Sequence, residues 1–121
     1  MAVPKLYYGE DFDSTFQQMR KEAVELLGVK NINELLSHGD YQEVAPVSKS
    51  YLHSMESIGN IVKESHLPPL NGEIRIVAIL SADRMLPAHA NALLKTLEDA
   101  PEDFQLLLVT AKYEDLLKTI L

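Results

Sequence analysis

The sequence predicts an α/β fold in which helices cover both faces of a parallel β-sheet. Two nearly continuous apolar runs, at residues 74–80 and 104–109, have the composition of strands that are buried on both faces. Segments with apolar residues at helical spacing precede, separate and follow these runs. Because strands that alternate with helices are joined by right-handed crossovers, this order predicts a three-layer αβα arrangement.

The remaining elements follow from shorter patterns of the same kind. A strand at residues 5–8 ends at Gly9, and a weaker strand is predicted at residues 41–45. Gly28 is expected to cap the end of the first helix and Ser54 the start of a later one. The predicted helices span residues 14–27, 54–64, 87–99 and 113–121, with a shorter helical turn within residues 31–39. The apolar face of the helix at 54–64 is expected to comprise Met55, Ile58, Ile61 and Val62.

Ligands of parallel sheets bind beyond the carboxyl ends of the strands. In this chain those ends lead into residues 9–15, 81–86 and 110–113, which are the loops in which a binding site is expected. No spacing of Ser, His and Asp, or of Cys and His, indicates catalytic residues. Paired carboxylates such as Glu102 and Asp103 have the character of solvated helix starts.

Composition and charge restrict the partners that the chain can have. The 121 residues suffice for one domain with a hydrophobic core, and no window reaches the about 18 apolar residues of a membrane span. The formal net charge is −7 without a basic stripe, so any action on DNA is expected to run through partner proteins. The absence of cysteine and the dispersal of the four histidines argue against a metal site and are compatible with the cytoplasm.

One stretch of the sequence carries a specific family signature. Residues 82–87 read Ala-Asp-Arg-Met-Leu-Pro, and residues 90–98 read Ala-Asn-Ala-Leu-Leu-Lys-Thr-Leu-Glu. This string closely resembles the AAA+ modules of bacterial DNA polymerase III clamp loaders, in which gamma/tau and delta-prime subunits share it. The likeness extends over residues 40–121. It implies a P-loop NTPase-like domain with the first strand in the centre of the sheet.

The resemblance places a degenerate Walker A loop after the first strand. Nucleotide-binding relatives carry Gly-x-x-x-x-Gly-Lys-Ser/Thr there, where backbone amides and the lysine hold phosphates and the hydroxyl holds magnesium. Gly9 matches the first glycine. Ser14, Thr15 and Phe16 take the places of the second glycine, the lysine and the hydroxyl residue. Three carboxylates in the same stretch would repel a polyphosphate, so we expect no useful affinity for ATP.

The Walker B element is also degenerate by this resemblance. Such ATPases end the strand at 74–80 with Asp-Glu, which bind magnesium and activate water. Leu80 and Ser81 occupy those positions, and Asp83 follows too late to replace them, so it is expected to cap the turn or to bond locally. Thr110 matches the polar sensor residue after the next strand. Without a bound phosphate it is expected to act as a turn or helix-capping hydroxyl.

The loss of both elements implies a noncatalytic subunit of the delta-prime type, without cofactor or metal. Such a subunit works with gamma/tau and delta subunits to load the sliding clamp onto primed DNA. Related subunits also carry a four-cysteine zinc module, whereas residues 28–39 contain no cysteine, and lid and collar domains, which residues 1–121 do not include. The fragment is expected to be monomeric and cytoplasmic, without membrane association. Asn91, Lys95 and Glu98 of the signature helix are expected to face a neighbouring subunit or solvent.

Two other interpretations of the sequence remain open. The first is a clamp-loader ATPase of the gamma/tau type with an unusual nucleotide site, which measurable ATP binding would favour. The second is an unrelated parallel α/β binding domain, which a strand order different from the AAA+ order would favour.

Overall fold

The computed structural model describes residues 3–46 and 50–120 as alternating strands and helices. The elements in chain order are β1 (Lys5–Tyr8), α1 (Phe12–Leu27), α2 (Ile32–Ser37), β2 (Tyr41–Val44), α3 (Met55–Glu64), β3 (Arg75–Leu80), a 3-10 turn (Ala82–Arg84), α4 (Pro87–Leu97), β4 (Phe104–Thr110) and α5 (Tyr113–Ile120). Each strand and helix predicted from the sequence pattern is present. The last residue of the predicted final helix, Leu121, lies outside the described residues.

The strands form one parallel sheet in the order β1-β4-β3-β2, which confirms the predicted α/β class. The strands β1, β4 and β3 lie side by side in this order. The inner strand β3 is buried from Ile76 to Ile79, as its continuous apolar run requires. Among residues 3–46 and 50–120, β1 pairs only with β4 and so lies at the edge of the sheet. The expectation of a central first strand is therefore not met there.

Helices cover the two faces of this sheet and give it two hydrophobic cores. On one face α3, α4 and α5 pack on the sheet, and on the other face α1 and α2 do. The first core includes Ile58, Ile61, Leu93, Leu97, Phe104, Leu106 and Leu116. The second core includes Tyr7, Met19, Ala23, Leu35, Ile76 and Leu107. Both faces are therefore covered, and the carboxyl ends of the strands remain at an edge.

Capping residues fix the helix ends where the sequence predicts them. Gly28 ends α1 with φ 76°, and its N–H donates to the carbonyl oxygens of Val24 and Glu25. The side chain of Ser54 accepts the N–H of Ser57 at 3.0 Å at the start of α3. In the part of the chain that the structure describes, no helix has the length and apolar character needed to cross a bilayer.

Two details differ from the sequence-based expectation. Helix α1 begins at Phe12, two residues before the predicted start, because the Asp11 carbonyl already accepts the N–H of Thr15. Met55 was expected on the apolar face of α3, but 70% of it is exposed. It is the first residue of the helix, and the buried face of α3 starts one turn later, at Ile58.

A buried carboxylate anchors the loop that precedes β3. Asp40, which directly precedes β2, accepts hydrogen bonds from the backbone N–H groups of Leu70, Asn71 and Gly72. Burial disfavours the charged form of Asp40, but the three donors outweigh burial and lower its pKa. The anchor lies at the amino ends of β2 and β3 and so fixes the sheet at the edge opposite the predicted site.

Candidate functional site

The predicted loops meet at the carboxyl edge of the sheet. β1 leads into Gly9, β3 leads into Ser81, and β4 ends at Thr110. In the register of the sheet Tyr8 lies beside Thr110, and Leu80 lies beside Val109. This edge is where a parallel sheet of this kind binds ligands.

The segment that the resemblance aligns with a phosphate-binding loop is short and largely helical. Only residues 9–11 separate β1 from α1, so Ser14, Thr15 and Phe16 lie in the first turns of the helix. A phosphate-binding loop presents several free backbone N–H groups to its anion. Here the N–H of Thr15 is instead bonded to the carbonyl oxygen of Asp11 at 3.2 Å.

The side chain of Thr15 fills the space beside Gly9. Thr15 is buried, and its hydroxyl donates to the carbonyl oxygen of Asp11 at 3.0 Å. A Cβ atom at position 9 would lie 2.8 Å from Oγ1 of Thr15, which is closer than real Cβ contacts allow. Gly9 therefore has a packing role in this structure, and the Thr15 hydroxyl points into the protein.

Carboxylates surround the start of α1. Oγ of Ser14 donates to Oδ2 of Asp11 at 2.6 Å, and this bond holds the pKa of Asp11 below its ordinary value. Glu10 and Asp13 are both exposed in the same segment. Negative charge here stabilises the helix dipole and opposes the approach of a polyphosphate.

Phe16 belongs to the packing between α1 and β2. Its ring stacks on Phe12, with ring centroids 5.8 Å apart, and the Arg20 guanidinium lies 4.1 Å from the Phe16 ring centroid. Arg20 also makes two hydrogen bonds of 2.7 and 2.8 Å to the carboxylate of Glu43 on β2. Phe16, which the resemblance aligns with the magnesium-binding hydroxyl, is thus part of an aromatic and ionic cluster.

A buried histidine hydrogen-bonds to the end of β3, at the positions that the resemblance aligns with the Walker B carboxylates. Nε2 of His53 lies 2.8 Å from the carbonyl oxygen of Leu80 and 3.2 Å from that of Ser81. Carbonyl oxygens only accept, so Nε2 carries the proton. Burial lowers the pKa of His53, and the two hydrogen bonds offset part of that shift. Ser81 itself adopts a left-handed conformation, with φ 51° and ψ 56°, that turns the chain into the 3-10 turn.

Thr110, the sensor-like residue, is fully buried and makes two hydrogen bonds. Its hydroxyl donates to Oδ1 of Asp83 at 2.6 Å and accepts the N–H of Lys112 at 2.9 Å. The second bond is a turn-capping contact of the kind expected for Thr110. Asp83 was expected to bond locally, but its partner comes from the neighbouring strand. The pair joins the turn after β3 to the end of β4.

The polar residues of the signature helix lie elsewhere. Asn91 and Lys95 on α4 and Glu98 directly after it are exposed on one side, and the opposite side of the helix carries the buried Leu93 and Leu97. The structure thus places the positions that the resemblance aligns with Walker A, Walker B and the sensor together at the sheet edge. It places the expected subunit-contact residues on a separate helix face.

Two of the four histidines hydrogen-bond to the backbone through their rings. Nδ1 of His38 accepts the N–H of Asp40 at 3.0 Å, and His53 donates to backbone carbonyls. Across residues 3–46 and 50–120, no group of three or more His, Asp or Glu side chains is arranged to hold a metal ion.

Sequence reasoning missed a tyrosine pair at this edge. The rings of Tyr8 and Tyr113 stack with centroids 4.3 Å apart and planes inclined by 23°. Tyr8 is the last residue of β1 and Tyr113 the first residue of α5, which follows β4. Their proximity results from the pairing of β1 with β4. Strand pairing is the only signal that would have brought the two residues together.

Comparison with known families identifies the lineage of the chain. A family model described as "DNA polymerase III, delta subunit" matches residues 15–121. The chain belongs to this family. The match begins at Thr15, so β1 and the residues that join it to α1 precede the matched region. Membership agrees with the clamp-loader resemblance of the signature helix and excludes the interpretation as an unrelated α/β domain, which the edge position of β1 by itself would have favoured.

The same fold occurs in a solved structure of a DNA polymerase III gamma subunit-related protein from Thermotoga maritima. The TM-score is 0.80 and the sequence identity 24%, over 98% of this chain and 38% of that one. At this identity the likeness shows the fold alone. Because the match covers 38% of the Thermotoga protein, the chain spans well under half of its length. No curated protein matches the sequence.

Proposed function

We propose that the chain is the first domain of a noncatalytic, delta-prime-type subunit of the bacterial DNA polymerase III clamp loader. Membership of the polymerase III delta subunit family supports the place in this machine. The observation that carries the noncatalytic role is the packing of Thr15, which stands at the lysine position. Its side chain is buried and bonded to the Asp11 carbonyl oxygen, so it offers a polyphosphate neither charge nor a free donor.

The free energies of the lost contacts, compared with that of micromolar binding, support the loss of ATP binding. Removal of a charge-assisted hydrogen bond to a phosphate costs about 1.5–3 kcal/mol. The exposed carboxylates near the start of α1 add repulsion of the polyphosphate, which solvent and salt screen in part. Micromolar affinity corresponds to only about 8 kcal/mol. The missing lysine contact and the repulsion by these carboxylates therefore both act against ATP binding.

Calorimetry with Mg-ATP tests this part of the proposal. The full-length protein should give no binding heat up to millimolar nucleotide, while a gamma subunit measured in parallel should bind. A dissociation constant in the low micromolar range would contradict the noncatalytic role. It would favour a clamp-loader ATPase of the gamma/tau type with an unusual nucleotide site.

The proposed role is to hold the geometry of the loader. The partners are gamma/tau and delta subunits, with the sliding clamp and primed DNA engaged indirectly, in the cytoplasm. We assign residues 1–121 to the first AAA+ domain of such a subunit. The exposed side of α4, with Asn91, Lys95 and Glu98, is the proposed contact with a neighbouring subunit.

Co-elution with gamma and delta subunits on a sizing column tests the assembly role. The full-length protein should enter a stable complex, whereas the 121-residue chain should remain monomeric, because it contributes only part of the interface area. Lys95→Glu in the full-length protein should weaken the complex. Lys21→Glu makes the same charge change on exposed α1 and serves as the matched control. Failure of the full-length protein to bind either subunit would contradict the clamp-loader role.

A further inference from the structure

The tyrosine pair forms the floor of an open groove at the carboxyl edge of the sheet. Tyr8 and Tyr113 line a groove of about 590 Å³ together with Gly9, Glu10, Ala111, Lys112, Glu114 and Asp115. The stack uses one face of each ring. Tyr8 nevertheless keeps 58% of its surface exposed and Tyr113 keeps 37%. Aromatic surface is thus available to a ligand beside the segment that corresponds to a phosphate-binding loop.

Acidic side chains form the rim of this tyrosine groove. Glu10, Glu114 and Asp115 are exposed, and among the described residues none of their carboxylates has a hydrogen-bond or ion-pair partner. Lys112 is the single cation of the lining, which leaves the groove with a net charge of −2. The whole chain has a net charge of −7, so its wider field has the same sign.

We propose that the tyrosine groove binds a basic segment of a partner protein through an arginine side chain. A guanidinium stacks on the face of a tyrosine ring and donates hydrogen bonds to carboxylates, and the groove places both kinds of partner together. The proposal follows from charge complementarity between the rim and a cationic chain. It does not depend on the proposed clamp-loader role, since the groove would bind such a segment in any assembly.

The same charges disfavour the other occupants that an aromatic groove attracts. A nucleotide or a nucleic acid strand would stack its bases on the tyrosines, but its phosphates would face the three carboxylates. A neutral apolar peptide would gain the aromatic contact while it removed water from the carboxylates without replacing their hydrogen bonds. A cationic side chain is the occupant for which both the floor and the rim are favourable.

Titration of the isotope-labelled chain with two synthetic peptides tests the proposal by NMR. The basic probe is acetyl-Gly-Arg-Gly-Arg-Gly-amide, and its matched neutral control has glutamine in place of both arginines. We expect the basic probe to shift the backbone signals of Gly9, Glu10 and residues 111–115 and the neutral probe to shift none. An increase of the salt concentration from 50 to 300 mM should weaken the binding, because the exposed charges are screened.

Variants of the groove should change the affinity for the basic probe in opposite directions. Tyr113→Ala should weaken binding of the basic probe about three-fold, as expected for an exposed cation–π contact, whereas Tyr113→Phe should retain it. Joint replacement Glu114→Gln and Asp115→Asn should weaken binding about three-fold or more. Lys112→Gln removes the competing cation and should tighten it.

A charge-matched control separates local recognition from the overall charge. Glu73→Gln with Glu102→Gln removes two exposed carboxylates near the amino ends of β3 and β4, at the opposite edge of the sheet. This variant should bind the basic probe like the unmodified chain. Signal shifts spread over the whole acidic surface, equal losses in both double variants, or no binding at 10 mM peptide would each overturn the proposal.

Discussion

The hydroxyl of Thr110 donates a 2.6 Å hydrogen bond to the carboxylate of Asp83, which lies 27 positions earlier in the chain. Thr110 is fully buried at the end of β4, and Asp83 is half-buried in the turn that follows β3. The polar groups at these two strand ends therefore satisfy each other. The Thr110 hydroxyl is thus bonded to the protein itself, which agrees with the proposed noncatalytic role.

Replacement of Thr110 by valine should destabilise the fold. Valine keeps the shape of the side chain but leaves the Asp83 carboxylate without its buried donor, so the free energy of unfolding should fall by about 1–3 kcal/mol. Urea unfolding followed by circular dichroism measures the change. Thr110→Ser retains the hydroxyl and should lose clearly less. Equal stability of the valine variant and the unmodified chain would mean that the bond contributes nothing.

Gly9 should tolerate a side chain only when Thr15 is shortened. A Cβ at position 9 would lie 2.8 Å from Oγ1 of Thr15, so Gly9→Ala should cost about 1–3 kcal/mol. In the Thr15→Ala background the clashing atom is absent, and the same substitution should cost little. A double-mutant cycle in urea should therefore give a coupling of about 1 kcal/mol or more between the two positions. Additive effects would place the Thr15 hydroxyl elsewhere.

The buried His53 should make stability depend on pH near neutrality. Its pKa in the folded chain lies below the ordinary value of 6.5, so below pH 6.5 the unfolded chain binds more protons than the folded one. Stability should therefore fall as the pH drops from 6.5 towards the folded-state pKa and then level off. Urea midpoints between pH 7.5 and 5 measure this. His53→Gln can still donate to the Leu80 carbonyl and should remove this part of the dependence. An identical slope in both proteins would assign it to other groups.

The fold was predictable because its signals are local. The apolar run at 74–80 allowed only a strand with both faces buried, and the cap residues Gly28 and Ser54 marked helix ends by their own chemistry. The order of the strands in the sheet was harder to predict from the sequence. Pairing of β1 with β4 joins residues about 100 positions apart, and no periodic pattern encodes such a neighbour. Met55 was misplaced because periodicity does not show which turn of a helix first meets the sheet.

The candidate site was predictable only in part. Its location followed from the parallel sheet, and the missing lysine and carboxylates followed from the family resemblance. The side chains that fill the candidate site could not be predicted from the sequence. The inward turn of Thr15, the His53 contacts with the end of β3 and the stack of Tyr8 on Tyr113 all depend on residues brought together by the tertiary fold.

Asp40 should be the most sensitive polar residue outside the site, since its buried carboxylate accepts three backbone N–H groups from Leu70, Asn71 and Gly72. Asp40→Ala leaves these donors unpaired and should lower the free energy of unfolding by about 2–4 kcal/mol, whereas Asp40→Asn keeps one acceptor oxygen and should lose less. The folded pKa of Asp40 is below its ordinary value of 3.8, so its contribution is present above that pH and is lost as the pH falls through the folded pKa. Acid unfolding should therefore be less steep in Asp40→Asn. Equal urea midpoints for the alanine variant and the unmodified chain would contradict the anchor.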